Sequence, residues 1–199
     1  FANGDRYEGE FENGVFHGLG RFVLSNGNSF KGEFKNGKLP KKVTLKFFNG
    51  DIYIGSIQNF RAHGEGIITK TNGDSYEGEF ENDRQHGIGK LIFANGDRYE
   101  GEFENGKLHG FGSYSYANDE TYIGQFDIDR PHGQGIFNYI DGTKYEGEWI
   151  NGEISGKGLF TYADGRTYTP LPKDKDLIEV SSGSGFFIND KGYVVSSNH

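Results

Sequence analysis

Tyr7, Phe30, Tyr53, Tyr76, Tyr99, Tyr122, Tyr145 and Tyr168 stand at a constant spacing of 23 residues. The segment FANGDRYEGEFENG at 1–14 returns unchanged at 93–106, four periods later. A repeat this strict constrains the fold more than any other property of the chain. Each unit has to be one small supersecondary element that buries its apolar side against the units before and after it.

The unit reads Y-E-G-E-F, a turn, H-G-x-G, an apolar stretch, and a second turn with N-G or D-G. Its first half alternates with period 2, as a half-buried strand requires. Tyr99, Gly101 and Phe103 share one side, and Glu100 and Glu102 the other. Its second half alternates as well, with Gly110, Gly112, Tyr114 and Tyr116 against His109, Phe111 and Ser113. Asn49-Gly50, Asn72-Gly73, Asn95-Gly96 and Asp141-Gly142 mark the second turn, where both residues are expected at positive φ. Each unit is therefore a hairpin, and Gly110 with Gly112 is expected to leave a trough for the rings of the first strand. The predicted fold is all-β: an elongated, single-layer antiparallel meander with one aromatic face and one acidic face. Composition agrees, since 33 glycines with 16% aromatic residues suit many tight turns and not a disordered chain.

The Y-E-G-E-F…H-G-x-G pattern at this period resembles the MORN (membrane occupation and recognition nexus) repeat over residues 1–168. The resemblance implies a scaffold, a dimerisation surface or a lipid-binding module, and no catalysis by the repeats themselves. Phe1 falls late in a unit and the chain has no Met, so the expectation is a start inside a repeat of a longer protein.

Two units depart from the pattern. In the second, Pro40 replaces His, and Lys41 and Val43 replace the glycines; Lys31, Lys35, Lys38, Lys41, Lys42 and Lys46 surround Glu33. Lys38, Lys41 and Lys42 form the candidate anion-binding patch, set against a drifted repeat with a solvated basic turn. In the seventh, Ser155 replaces His, and the sole tryptophan, Trp149, joins the column of Phe11, Phe34, Phe80, Phe103 and Phe126 as an expected core ring.

His17, His63, His86, His109 and His132 recur at one point of the unit. Equivalent residues two strands apart lie roughly 10 Å from each other, while a zinc ion needs nitrogens about 2 Å away. No metal site and no cofactor are expected. The pairs Glu8/Glu10, Glu77/Glu79, Glu100/Glu102 and Glu146/Glu148 have a spacing that glycosidases use, roughly 6.5–7 Å. Repeated along an open sheet, they read as a solubilising face.

The formal net charge of −8 argues against nucleic acid as a partner and disfavours anionic membrane lipid. Without Cys, disulfides and thiolate metal sites are excluded. A protein partner is expected, with a homodimer through the array as one form of it.

The period ends at Tyr168, and Pro170 and Pro172 stop the sheet. Residues 169–176 read as a linker, followed by strands at 177–180, 184–188 and 192–196. The string SSGSGFFINDKGYVVSSNH resembles the opening of a trypsin-like serine peptidase of the high-temperature-requirement kind, through Gly183, Ser184, Gly185, Phe186, Ile188, Gly192, Tyr193, Val195, Ser196 and His199. Ser197 stands where that family commonly has Asn. The resemblance makes 177–199 the start of such a domain and His199 its candidate general base. A triad also needs a carboxylate and a nucleophilic Ser, which that family places after the His. By itself the chain is then expected to be inactive, as the N-terminal part of a larger serine endopeptidase. The function read from the sequence is a scaffold that binds or localises a partner, with a peripheral membrane adaptor as the alternative.

Overall fold

A computed structural model describes residues 1–170 and the strands at 186–188 and 194–196. Fifteen strands form one sheet in which each pairs only with its neighbours in sequence. They are β1 (Arg6–Glu12), β2 (Val15–Val23), β3 (Ser29–Phe34), β4 (Lys42–Lys46), β5 (Ile52–Gln58), β6 (Arg61–Thr69), β7 (Ser75–Glu81) and β8 (Arg84–Ile92). They continue as β9 (Arg98–Glu104), β10 (Lys107–Ser115), β11 (Thr121–Asp127), β12 (Arg130–Asn138), β13 (Lys144–Ile150), β14 (Glu153–Thr161) and β15 (Thr167–Tyr168). All pairings are antiparallel, so the expected meander is present. At about 4.8 Å per strand the array is roughly 65–70 Å long. A separate hairpin joins β16 (Phe186–Ile188) to β17 (Val194–Ser196). Residues 171–176 of the expected linker, and His199, lie outside the described residues.

One register runs through the layer. Gly101 pairs with Gly112, Gly112 with Gly124, Gly124 with Gly135, and Gly135 with Gly147. Over each intra-unit glycine pair lies the tyrosine of the same unit. A Cβ on Gly112 would meet Tyr99 Cε2 at 2.5 Å and Cζ at 2.6 Å, and one on Gly101 would meet the Tyr99 hydroxyl at 2.6 Å. Tyr53, Tyr76, Tyr99, Tyr122 and Tyr145 are consequently among the largest fully buried side chains of a one-layer protein. Each such ring contributes roughly 1.5–3 kcal/mol by burial.

The trough assigned to Gly110 and Gly112 is made instead by Gly112 and its partner Gly101. Between His109 and Gly112 the register against β9 slips. Gly110 sits in that bulge at φ +56°, a conformation that suits glycine. His109 and Phe111 thus keep the open side, and Gly110 faces neither ring. Simple alternation does not reveal a register slip.

The two turns also exchange roles. The tight two-residue loops lie at the first turn: Asn105 and Gly106 have φ 53° and 82°, and Asn13 and Gly14 have 51° and 77°. These values fit the turn that matches strand twist. At the second turn the loop is longer: Phe93 N–H donates to Asp97 O at 2.9 Å and Gly96 N–H to Phe93 O at 3.0 Å. There Gly96 has positive φ and Asn95 does not.

In the second unit β4 is short, has no bulge, and carries Val43 in the glycine row. Phe30 has no hydroxyl, and Pro40 lies over Gly32, 2.5 Å from where a Cβ would sit. A proline ring fills the volume that a tyrosine fills in the regular units.

Gly112→Val is expected to lower stability by about 1–3 kcal/mol, because the new methyls and the Tyr99 ring claim one volume. Ser113→Val, on the other side of the same strand, should change it by less than about 0.5 kcal/mol. Urea denaturation midpoints of the two variants measure the difference, and equal midpoints would contradict the packing role of the glycine row.

Candidate functional site

The bulge gives the repeated residues their places. Tyr99 donates its hydroxyl to Glu102 O at 2.9 Å and to His109 O at 3.2 Å, two carbonyls at the slip. Tyr76 does the same with Glu79 O at 2.8 Å and His86 O at 3.4 Å. Burial raises these phenols, Tyr53 to about 12 with further contributions from Asp83 and Glu65, so they remain neutral donors. On the other side of the sheet the Glu102 carboxylate accepts the Phe111 N–H at 2.8 Å, and Glu79 accepts the Ile88 N–H at 3.2 Å. Gln125 replaces them in the next unit and accepts the Gln134 N–H at 2.9 Å.

The second glutamate of each pair is therefore a bulge cap in these units, not a solubilising group alone. A neutral amide performs the same task, so the acceptor oxygen matters there and not its charge. The histidines face carboxylates: His109 Nε2 lies 3.3 Å from Glu104 and Nδ1 3.5 Å from Asp127, and His17 Nδ1 lies 3.0 Å from Glu12. Among the described residues no group of three or more metal-ligating side chains gathers.

Adjacent units are clasped along the second turn. Asp97 Oδ1 accepts the Ala117 N–H at 2.9 Å, Asp74 the Ala94 N–H at 3.0 Å, and Asp51 the Thr71 N–H at 2.8 Å. Asn28 does so neutrally for Phe48 at 2.9 Å. The Thr71 amide holds the Asp51 carboxyl below the usual range, and the Asn72 side chain with the Ala94 amide does this for Asp74. For Asp97 burial opposes the shift, but bonds from Tyr114, Ala117 and Asn95 outweigh it.

The open face, opposite the tyrosines, is not uniformly acidic. Large apolar side chains interrupt it: Leu19, Ile54, Ile67, Ile88, Phe111, Ile123 and Leu159 are all exposed, Phe111 to 58%. Phe111 pairs with Gln125 and Ser113 with Ile123, which makes Phe111 and Ile123 diagonal neighbours. The sequence hid them because each stands next to a glycine, with its apolar neighbours on the same face supplied by other strands. Strand pairing brings them together.

The candidate lysines separate. Lys42 pairs with Ser56 on the open face, Lys41 precedes β4, and Lys38 bridges Lys35 in the β3–β4 connection. All three are exposed. Trp149 lies in the aromatic core at 6% exposure, edge-on to Tyr122 at 5.1 Å.

A sheet made by stacking hairpins, with its core between successive units on one face and the other face free, defines a β-hairpin-repeat protein. The chain belongs to the MORN-repeat family: the MORN repeat model matches residues 7–29, 53–75, 76–98, 99–121, 122–144 and 145–165. No curated protein sequence matches the chain significantly. Among solved structures it is similar to the SAS-4 TCP domain of Drosophila melanogaster in complex with a proline-rich motif of Ana2. The identity is 15% and the TM-score 0.50, over 82% of this chain and 88% of that chain. The TCP10c domain of Drosophila melanogaster Sas-4 is 13% identical with a TM-score of 0.44, over 82% of this chain and 96% of that one.

Two outcomes test the clasps and caps. The folded-state pKa values of Asp51, Asp74 and Asp97 lie below the unfolded ones. Their contribution is thus complete above the ordinary aspartate value of about 3.9 and fades as pH falls through the lower folded value. Denaturation midpoints should be level from neutral pH down to about 5 and fall below about 4. Asp97→Asn should remove that site's share of the acid sensitivity and lower the midpoint at neutral pH, because the amide gives up the charged acceptor that Tyr114 and Asn95 bond. For the bulge, Glu102→Gln should be near neutral and Glu102→Ala should lose about 1 kcal/mol by leaving the Phe111 amide uncapped. Equal losses in both would assign the effect to charge.

Proposed function

We propose that this protein is a non-catalytic scaffold that binds a protein partner on the open face of its sheet. The observation that carries the reading is the exposed apolar series from Ile54 to Leu159 on a face whose strands are already paired. Exposed apolar groups rimmed by polar ones are typical of protein contact sites. Glu77, Glu100 and Glu146 border them and favour basic residues at the rim. The Drosophila domain of similar fold is seen with a proline-rich motif, which supports an extended β-layer as a peptide platform.

A photo-crosslinking side chain at position 111 should trap one protein partner in cells of the source organism. The adduct should vanish in Ile123→Asp with the thermal midpoint unchanged. Adducts that persist in that variant, or that form equally from position 140 in the β12–β13 turn, would overturn the assignment.

A second reading concerns the tail. The resemblance of residues 181–199 would make the pairing of Phe187 with Val195 part of the first hairpin of a serine peptidase domain. On this reading the array localises the peptidase, and His199 is its general base. The test is the source reading frame: continuation into an Asp and a G-x-S-G-G segment, with fluorophosphonate labelling of the product, is the expected result. A frame without them leaves the tail an unrelated hairpin.

A further inference from the structure

The unit that the family model passes over, residues 30–52, has six lysines and only Glu33 and Asp51 as carboxylates. Elsewhere on the open face the lysines are paired: Lys90 with Glu100 at 3.9 Å, Lys144 with Glu146 at 2.7 Å, Lys157 with Glu148 at 3.3 Å. Among the described residues Lys31, Lys35, Lys42 and Lys46 have no ion-pair partner, although all are exposed. They share the open face, because Phe30, Phe34, Val43 and Leu45 between them are buried on the other.

The next strands supply a different surface. Lys46 pairs with Ile52, and Thr44 with Ile54. Ile54 pairs with Ile67, and Ile67 with Glu77. Ile52, Ile54 and Ile67 are 41%, 55% and 42% exposed. Across β3 to β7 the face therefore runs from unpaired ammonium groups, through an isoleucine band, to carboxylates. The basic and apolar bands are adjacent strands, about 5 Å apart.

We propose that β3–β6 of the open face is a docking site for an acidic segment of a partner protein. That segment places two or more carboxylates on the lysines and a bulky apolar side chain on the isoleucine band. The proposal rests on the partner-binding reading and names the chemistry of one site within it. Charge complementarity selects the occupant. An anionic bilayer large enough to engage the lysines would also meet Glu77 and Glu79 of β7 on the same face, within roughly 15 Å. A segment that lies on β3–β6 does not reach β7, and meets only Glu33 and Glu65 among the carboxylates of those strands. Lys31, Lys35 and Lys46, which the patch read from the sequence omits, join Lys42 on the open face.

Random 12-residue peptides displayed against the full chain, after depletion on Lys42→Glu/Lys46→Glu, identify ligands of this band. Enriched peptides should combine acidic residues with a nearby Leu, Ile, Phe or Trp. In fluorescence anisotropy their Kd should rise at least tenfold with Lys42→Ala/Lys46→Ala, and likewise with Ile54→Ser. It should be unmoved by Lys90→Ala and should rise with salt. Circular dichroism melting of each variant guards against unfolding. Peptides without the acidic–apolar combination, or ligands indifferent to Ile54→Ser, would overturn the proposal. Tight binding of phosphatidylserine vesicles that is lost with the same lysines would replace it by a membrane site. Self-association lost with them would replace it by a second copy. Neither result touches the Phe111–Ile123 contact, so the broader reading stands or falls separately.

Discussion

A tyrosine lying flat over two paired glycines is the contact on which this molecule depends. Gly101 and Gly112 expose a strip of backbone that Tyr99 covers, and no other side chain fits between them. The same tyrosine reaches the carbonyls of Glu102 and His109, which the register slip turns toward it. Glu102 reaches from the opposite face to the freed Phe111 amide. Ring, bulge and carboxylate satisfy one another's polar groups, and burying any of them without the others would leave an unpaired group at a cost of about 1–3 kcal/mol.

Burial in a single layer is possible only because each unit completes its neighbour. Phe103 is 3% exposed and lies edge-on to Tyr76 of the preceding unit at 4.8 Å. Phe11 occupies the equivalent place on the outermost strand, has no preceding tyrosine in this chain, and is 59% exposed. Stability in such an array is a sum over nearest-neighbour interfaces. That accounts for the tolerance of the second unit, where Phe30, Pro40 and Val43 rebuild the contact locally. It also accounts for Ile128 at φ +45°, an unfavourable conformation for a β-branched residue. Asp129 holds the turn by accepting the Leu108 N–H at 2.9 Å and donating its own N–H to Leu108 O at 3.1 Å.

Because the core uses one face, the other is left to vary without loss of the fold. Its positions hold Glu, Lys, Ile, Thr or Phe at equivalent points of different units. The variation is banded and not random: lysine over β3–β4, isoleucine over β5–β6, and mixed carboxylate and apolar residues beyond. A partner is read by which band it meets, while the glycine row and the tyrosines keep the platform constant.

The sequence by itself determined the period, the hairpin unit, the continuous meander and the aromatic side, because strict alternation and a fixed repeat leave one way to stack strands. It also placed Trp149 in the ring column and marked the second unit as different. Three matters were decided only by the tertiary structure. The slip at Gly110 moved that residue out of the trough and converted Glu102 from surface charge to cap. The exchange of turn types put the doubly positive φ pair at Asn105-Gly106. And pairing across strands assembled Phe111 with Ile123, and Lys46 with Ile52, from residues on successive strands. The common reason is register: period-2 reading assigns a side to every residue until a bulge adds residues to one strand, and neither the bulge nor the neighbours it creates across strands is written in the local pattern.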